Sequence, residues 1–335
     1  MSIQSSRTTN ICLVILAFVA VTTALVYTRV VLVPFVISLF AYTVASPTVS
    51  RIRKKGVPHF IAMGITIFGF LFIMSILLFF VVTSIEQFVK GAHIYRDKII
   101  QFIQWFTVNT NNLGFDFDQD FIQNELRQIP VFSMVKNITG GLLSLMGNFI
   151  LVMVFTLFML AGEGLTEQIP SERLIAKIKE KVSHYVIMKT LTSVGSGVVV
   201  FCILAFCGID LAFMFGLLTV LLNFIPSIGG IISTLLPLPV ILLEFGLSWQ
   251  LYCVLILSAV VQFAVGNIIE PKILGESMDL HPVALLVCLV FWGLVWGIPG
   301  MFMAVPITGM IKIVFARIEI TRPIAELMAG RISGY

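Results

Sequence analysis

Long stretches without a charged side chain alternate with short charged segments along the whole chain. About 20 apolar residues of helix span the hydrocarbon core of a bilayer, which is roughly 30 Å thick. The uncharged stretches are at least this long, and they lack the strict apolar–polar alternation of membrane barrel strands. The pattern therefore predicts an all-α polytopic membrane protein with eight hydrophobic segments, which are residues 8–28, 30–50, 56–85, 137–162, 190–209, 211–243, 245–269 and 282–311.

Two of these stretches are too long for a simple span. Residues 211–243 would extend about 50 Å as one straight helix, at 1.5 Å per residue. The middle of this stretch reads "NFIPSIGG", where Pro226 removes a helical hydrogen bond and Gly229 and Gly230 permit a reversal. The stretch that begins at Pro282 has a similar centre, "WGIPGMFMAVP", with Gly and Pro at residues 297, 299, 300 and 306. Each stretch is interpreted as two short helices that return to the same side of the membrane.

These breaks predict six spans plus two re-entrant helical hairpins, at 211–243 and 282–316. The carboxyl half then alternates span and hairpin twice, with opposite orientations, which is the plan of an inverted-repeat transporter. Membranes tolerate the exposed backbone of broken helices only where it lines a cavity or lies inside protein. Two alternatives stay open: both long stretches could cross the membrane, and the Gly–Pro breaks could be simple kinks in packed helices.

Charge sets the expected orientation. Only 11% of the residues are charged, and 59% are hydrophobic, whereas soluble domains carry about 25% charged residues. The net charge of +4 bears on membrane orientation, and no nucleic-acid partner is expected. Short basic loops stay in the cytoplasm, so we expect both termini to be cytoplasmic. The basic residues that fix this orientation are Arg51, Arg53, Lys54 and Lys55, then Arg173, Lys177, Lys179, Lys181 and Lys189, and finally Lys312, Arg317, Arg322 and Arg331.

The predicted organisation has five parts. Residues 1–85 form amino-terminal spans that act as a scaffold, and 86–136 form an extracytoplasmic amphipathic segment. Residues 137–189 contain the fourth span and a cytoplasmic amphipathic helix. Residues 190–316 form the transport core with its two span-plus-hairpin repeats, and 317–335 form a cytoplasmic tail.

Candidate substrate-binding residues lie at the two breaks and on the second span of the core. The breaks would contact cargo through backbone groups, and neutral amide and hydroxyl side chains would add hydrogen bonds. The candidates are Asn223, Pro226, Ser227, Gly229, Gly230, Gln262, Asn267, Gly297, Pro299 and Gly300.

A short polar detour, "GNIIEPKILGES", follows the second span of the core. Glu270, Pro271 and Lys272 allow two interpretations. They form either an interfacial ion pair that ends a helix, or a polar gate beside the hairpin tips.

Enzyme, metal and cofactor signatures are missing from the sequence. It contains no G-x-S-x-G, no H-E-x-x-H and no phosphate-binding glycine loop. The five cysteines lie in apolar stretches without a C-x-x-C pair. Asp116, Asp118 and Asp120 resemble the start of a calcium loop, but Phe121 and Arg127 stand where such a loop needs Gly and Glu. Gly195 and Gly197, which flank Ser196, are interpreted as close helix packing. We therefore expect neither an enzyme nor a bound metal or cofactor.

Several stretches resemble the autoinducer-2 exporter family of bacterial membrane proteins. They are "VPFVISLFAYTVASPTVSRIRKKGVPHFIAMGI" (33–65), "VSHYVIMKT" (182–190), "NFIPSIGG" (223–230) and "GNIIEPKILGESMDLHPVALLVCLVFWGLVWGIPGMFMAVP" (266–306). The resemblance implies an inner-membrane transporter that exports a small polar signalling molecule. It also implies a homo-oligomer, with the pentamer as the assembly associated with the family.

Three functions are compared. The first is export of a small polar solute similar to autoinducer-2 across the bilayer. The second is monovalent cation (Na⁺/Li⁺)/proton antiport, which needs a titratable carboxylate in the membrane, whereas Asp210, Glu244 and Glu270 lie only at the margins of the stretches. The third is an oligomeric scaffold that binds partners through residues 86–136.

Overall fold

The computed structural model describes residues 2–76, 79–80, 82–83, 131–162, 172–226, 228–274 and 279–331. All regular structure in these residues is helical, which confirms the predicted all-α class. A π-helical turn, Val265–Ile269, joins the helix Trp249–Ala264 to the helix Glu270–Leu274. The helices are α1 (Ser2–Tyr27), α2 (Arg29–Arg53), α3 (His59–Ile76), α4 (Val131–Gly162), α5 (Glu172–Phe206), α6 (Ala212–Leu222), α7 (Gly229–Leu235), α8 (Leu238–Phe245), α9 (Trp249–Ala264), α10 (Glu270–Leu274), α11 (Pro282–Trp296), α12 (Ile298–Phe315) and α13 (Arg322–Met328).

Six helices in the described part of the chain are long and apolar enough to cross a bilayer. The protein is therefore a multi-pass membrane protein, as predicted. The predicted cytoplasmic amphipathic helix is continuous with the following span, because α5 runs unbroken from Glu172 to Phe206. Residues 86–130 of the predicted extracytoplasmic segment lie outside the described residues. The six helices are Thr8–Tyr27, Arg29–Arg53, His59–Ile76, Glu180–Phe206, Trp249–Ile273 and Ile298–Phe315. They are not the six predicted spans, because Ile298–Phe315 belongs to the predicted second hairpin.

The chain divides into two compact units. The first unit contains Met1–Ile67, Asn148–Ile187 and Glu276–Tyr335, and the second contains Phe68–Gly147 and Met188–Gly275. The predicted transport core is thus shared between the units. Its first hairpin belongs to the second unit, and its second hairpin is grouped with the amino-terminal helices.

In the first unit, aromatic side chains hold the second hairpin against α1. The rings of Phe18 and Phe291 lie 5.7 Å apart. The indole Nε1 of Trp296 donates a hydrogen bond of 3.1 Å to the carbonyl of Leu25, in the last turn of α1, where carbonyls lack a partner within the helix. The second hairpin is therefore anchored by both packing and a hydrogen bond.

In the second unit, α5 and α6 cross at small residues. A Cβ atom added to Gly197 would lie 2.7 Å from the carbonyl oxygen of Gly216, and one added to Gly216 would lie 2.7 Å from Cβ of Phe201. Glycine lets helix backbones approach closely in membranes. The packing interpretation is confirmed for Gly197, whereas a Cβ atom at Gly195 would meet nothing within 4 Å.

The first hairpin reverses between α6 and α7, over residues 223–228. Gly229 lies directly against α6: an added Cβ atom would be 1.9 Å from the carbonyl oxygen of Leu222. In a straight helix, residues seven positions apart are about 10 Å from each other, so the chain folds back here. Pro237 then separates α7 from α8 at the start of the latter helix, where proline is tolerated.

The second hairpin reverses at a single residue. Gly297 has φ +67°, a conformation that glycine adopts without the steric cost of a Cβ atom. The indole of Trp292 then donates to Thr308 at 3.3 Å, although these residues would be about 24 Å apart in a straight helix. The predicted break was wider than the observed one, because α12 continues through Pro306. The chain thus reverses at both predicted breaks, and the re-entrant orientation in the membrane stays a prediction.

Candidate functional site

A hydrogen-bonded polar cluster joins three helices of the second unit near the first break. Gln262 on α9 donates through Nε2 to the hydroxyl of Ser233 on α7, at 2.9 Å. The hydroxyl of Ser196 on α5 donates to Oε1 of Gln262 at 3.4 Å. Ser233 in turn donates to the carbonyl of Gly230 at 3.0 Å. Gln262, which the sequence singled out, is therefore the centre of this cluster.

Glycine at the base of α7 makes the cluster possible. Gly229 is packed against the backbone of Leu222, so its role here is to allow a close backbone contact. A Cβ atom on Gly230 would lie 3.3 Å from Oε1 of Gln262, so a larger residue would push the amide away. The predicted residues Gly229, Gly230 and Gln262 are thus brought together.

Asn223 and Ser193 are among the buried polar groups of this unit that have no hydrogen-bond partner within the described residues. Asn223, at the end of α6, is 5% exposed, and its Nδ2 lacks an acceptor. Ser193 on α5 is fully buried, and its hydroxyl is unpaired. A buried polar group without a partner costs about 1–3 kcal/mol. Such groups are unusual in folded proteins and mark positions where a ligand can supply the hydrogen bond.

The other predicted residues of the first break contribute less. Pro226 is half-buried, and its carbonyl accepts from the N–H of Ile228 at 2.7 Å. Ser227 lies outside the described residues. Asn267 is exposed and donates to the carbonyl of Phe263 on its own helix at 3.1 Å. Asn267 and Gln262 were predicted to act together, but the two side chains have different partners.

Glu270 forms an ion pair with Lys189 of α5, not with Lys272. Lys189 is 3% exposed, whereas Lys272 is exposed. Sequence reasoning assigned Lys189 to a basic cytoplasmic loop, so its partner was missed. The available signal was that Lys189 lies directly next to an apolar stretch on a helix that continues into it.

The helix does not end at Glu270, contrary to one of our interpretations. It continues through Pro271 to Leu274 after the π-helical turn. Proline lacks an N–H group, and its ring clashes with the carbonyl four residues earlier, which here belongs to Asn267. The widened π turn at Val265–Ile269 accommodates Pro271 without breaking the helix. This turn also places Glu270 opposite α5.

The residues predicted at the second break form a different environment. Gly297 and Pro299 are exposed, and Gly297 pairs its own N–H with Gly293 at 2.8 Å and its carbonyl with Met301 at 3.1 Å. Gly300 is buried, and an added Cβ atom would lie 2.0 Å from the carbonyl oxygen of Trp292. Backbone groups at Gly297 are therefore already satisfied within the hairpin.

A second ion pair, which the sequence analysis did not identify, lies at the base of the second hairpin. Lys312 is 8% exposed and donates to Oδ2 of Asp279 at 2.7 Å. Arg331 also contacts this carboxylate, at 3.3 Å. Asp279 has φ +46°, which is uncommon for a residue other than glycine. The sequence feature that indicates this ion pair is the position of Lys312 at the end of an apolar stretch, because lysines at such positions usually have a partner.

Paired broken helices, a neutral polar cluster and buried ion pairs together define a polytopic helical membrane protein of the kind that moves solutes. A model of the AI-2E transporter family matches residues 13–320, and the chain belongs to this family. The AI-2 transport protein TqsA of Escherichia coli (strain K12) is 26% identical over 308 residues, which cover 89% of each chain. A Haemophilus influenzae protein, whose name places it among transport proteins, is 28% identical over 306 residues, 84% of this chain and 85% of its own.

Proposed function

We propose that this transporter exports a small, neutral, polar solute similar to autoinducer-2 across the bacterial inner membrane. Membership of the family supports transport. The similarity to TqsA, named as an AI-2 transport protein, supports the class of cargo. The proposed binding site is the first break, with Asn223, Gly230, Ser233 and Gln262.

The unpaired Nδ2 group of Asn223 is the observation that carries this proposal. A solute with hydroxyl or carbonyl oxygens would accept from this amide and replace the hydrogen bond that burial removes. Gln262 and Ser233 lie on the neighbouring helices and offer both donors and acceptors. The cluster carries no formal charge, so it favours a neutral solute.

Everted membrane vesicles test the proposal directly. We expect Asn223→Leu to reduce autoinducer-2 accumulation to about a tenth of the parent level or less, since one lost hydrogen bond to a bound solute is worth about 0.5–1.5 kcal/mol and leucine also fills the site. Asn148→Leu is the matched control, because Asn148 is an exposed residue of α4. Equal accumulation by the parent and Asn223→Leu, at equal protein levels, would contradict the proposed site.

Monovalent cation/proton antiport is the second candidate, and Glu270 is the observation that favours it. Its carboxylate is 20% exposed and paired with Lys189, it lies within the apolar helix Trp249–Ile273, and ionisable groups within such helices are usually functional. A sodium ion or proton would have to compete with Lys189 for this carboxylate. If Glu270→Gln abolishes sodium-driven proton movement in vesicles while autoinducer-2 transport is absent in the parent, antiport replaces export.

We also propose that both termini are cytoplasmic, that the hairpins are re-entrant and that the protein is a homo-oligomer, with the pentamer as the expected assembly. The exposed basic residues Arg51, Arg53, Lys54 and Lys55 support the orientation. Large apolar side chains on α1, such as Phe18 at 59% exposure, require lipid or a second copy. Reporter fusions at each terminus and native mass spectrometry would test these points. A stable assembly without any transport would favour the scaffold instead.

A further inference from the structure

A line of polar side chains runs between α5 and the helix formed by α9 and α10. We call it the polar seam, and it consists of Lys189, Ser193, Ser196, Gln262 and Glu270. The first three residues are spaced at i, i+4 and i+7, so they share one face of α5. Lys189 contacts Glu270 at one end, and Ser196 contacts Gln262 at the other. Through Ser233, the seam is continuous with the first break.

Stability alone does not explain the buried ion pair in this seam. Removing two charges from water is expensive, and apolar replacements of buried pairs are often neutral or more stable. Lys189 has only 4% of its side chain exposed. Charged groups at such positions in membrane proteins usually serve a function and have a specific partner. The Lys189–Glu270 pair therefore requires a functional explanation.

Ser193 and the π-helical turn supply a second, independent observation. The two seam contacts fix an antiparallel register, in which Ser193 lies level with Val265–Ile269. Its hydroxyl is fully buried and unpaired. π-helical turns occur frequently at functional sites. An unpaired hydroxyl beside an irregular turn is explained if it gains a partner in a second conformation.

We propose that Lys189 and Glu270 form a gate that is closed in this structure and opens during transport. Opening admits water to the polar seam, which hydrates Ser193 and gives water a path to the solute site at Gln262 and Ser233. Lys189 and Glu270 are positioning residues in this account, because they control access to the seam and do not contact the solute. The role in transport rests on the proposed function, whereas the opening itself can be measured without any cargo.

Thiol labelling measures the opening. The full-length protein, with its five native cysteines replaced, carries Ser193→Cys in lipid vesicles and is treated with N-ethylmaleimide. Adding Glu270→Gln leaves Lys189 buried without its counter-charge, which favours the open form. We expect labelling of Ser193→Cys to become about tenfold faster, as the open population rises. Ile241→Cys is the control, because Ile241 is fully buried on α8 in the apolar core of this unit, so its labelling should not change.

The charge-swapped variant Lys189→Glu/Glu270→Lys separates a gate from a structural contact. We expect it to restore slow labelling of Ser193→Cys and to keep at least part of the parent's autoinducer-2 transport. Equal labelling of Ser193→Cys with Glu270 or Gln at position 270 would overturn the gate. So would fast labelling that persists in the charge-swapped variant.

If Glu270→Gln does not fold, the apolar variant Lys189→Met/Glu270→Met distinguishes a gate from a structural contact. It removes both charges together, so no unpaired charge remains buried. We expect a folded protein with slow labelling at Ser193→Cys and transport below about a tenth of the parent level, because an apolar seam excludes water. Undiminished transport by this variant would overturn the gate. If the parent itself moves no autoinducer-2, the proposed function fails, and the labelling contrast still decides whether the pair opens.

Discussion

The first hairpin, from α6 to α8, and the second, α11 and α12, reverse the chain with the same device but differ in how their polar groups are paired. In each, a glycine sits against a carbonyl of the preceding helix: Gly229 on Leu222 and Gly300 on Trp292. The first break lies between Leu222 and Gly229 and leaves Nδ2 of Asn223 unpaired. The second break is one residue long and has its indole groups paired.

This difference indicates a division of roles. Unpaired buried polar groups cost stability, and proteins retain such costs mainly where function requires them. Satisfied polar groups and aromatic packing favour a fixed structure. The first hairpin is therefore the better candidate for solute binding, and the second is the better candidate for an anchor.

The largest expected effects come from the shared glycines. Gly229→Ala and Gly300→Ala each place a Cβ atom 2.0 Å or less from a backbone oxygen, and backbone atoms cannot move aside cheaply. We expect each variant to lose about 3 kcal/mol of stability, the upper end of typical overpacking, visible as a lower thermal midpoint and less monodisperse protein. Gly195→Ala is the control, since its Cβ atom meets nothing within 4 Å. A Gly300→Ala variant as stable as the parent would show that the second hairpin does not depend on a close glycine contact as the first does.

Loss of the lysine at the base of the second hairpin should have an intermediate effect. Lys312→Met leaves Asp279 with Arg331 as its remaining partner. We expect a loss of about 1–2 kcal/mol, less than for a fully buried pair, because the Asp279 side chain is 33% exposed. Thermal unfolding in detergent measures it. Adding Asp279→Asn to Lys312→Met should recover part of the lost stability. An unchanged thermal midpoint for Lys312→Met would show that the ion pair does not stabilise the second hairpin.

The smallest effect concerns a single hydrogen bond of the anchor. Trp296→Phe keeps most of the aromatic packing and removes the donor to Leu25. We expect a loss of about 1 kcal/mol, the usual net value of one hydrogen bond, without any change in solute affinity. Trp249→Phe, at a 58% exposed position, serves as the control. If solute affinity changes by more than stability does, Trp296 takes part in solute binding, and the second hairpin is not only an anchor.

The sequence predicted the architecture well because its signals are local. Charge-free length specifies helices in a membrane, and the Gly–Pro centres located both chain reversals to within a few residues. Pro306 was misleading, since proline in a membrane helix can be accommodated by the surrounding packing. Gly297 alone forms the second break, and only its positive φ identifies it.

The candidate site was harder to predict because pairing depends on distant residues. Gln262 was recognised as a polar residue in an apolar helix, but its partners Ser196 and Ser233 are 66 and 29 positions away. Glu270 was assigned beside its sequence neighbour Lys272, whereas its partner Lys189 is 81 positions away. No local pattern carries such information, and the π turn that aims Glu270 has no established sequence signature.

Cargo protection at matched positions of the two breaks tests the central claim most directly. Ile228 precedes the glycine of the first break and is 40% exposed, and Ile298 follows the glycine of the second and is 63% exposed. Single cysteines at these positions, in a background without native cysteines, are labelled with a thiol reagent in the presence and absence of autoinducer-2. The account predicts that cargo slows labelling of Ile228→Cys and leaves Ile298→Cys unchanged. Protection of Ile298→Cys with no change at Ile228→Cys would contradict it.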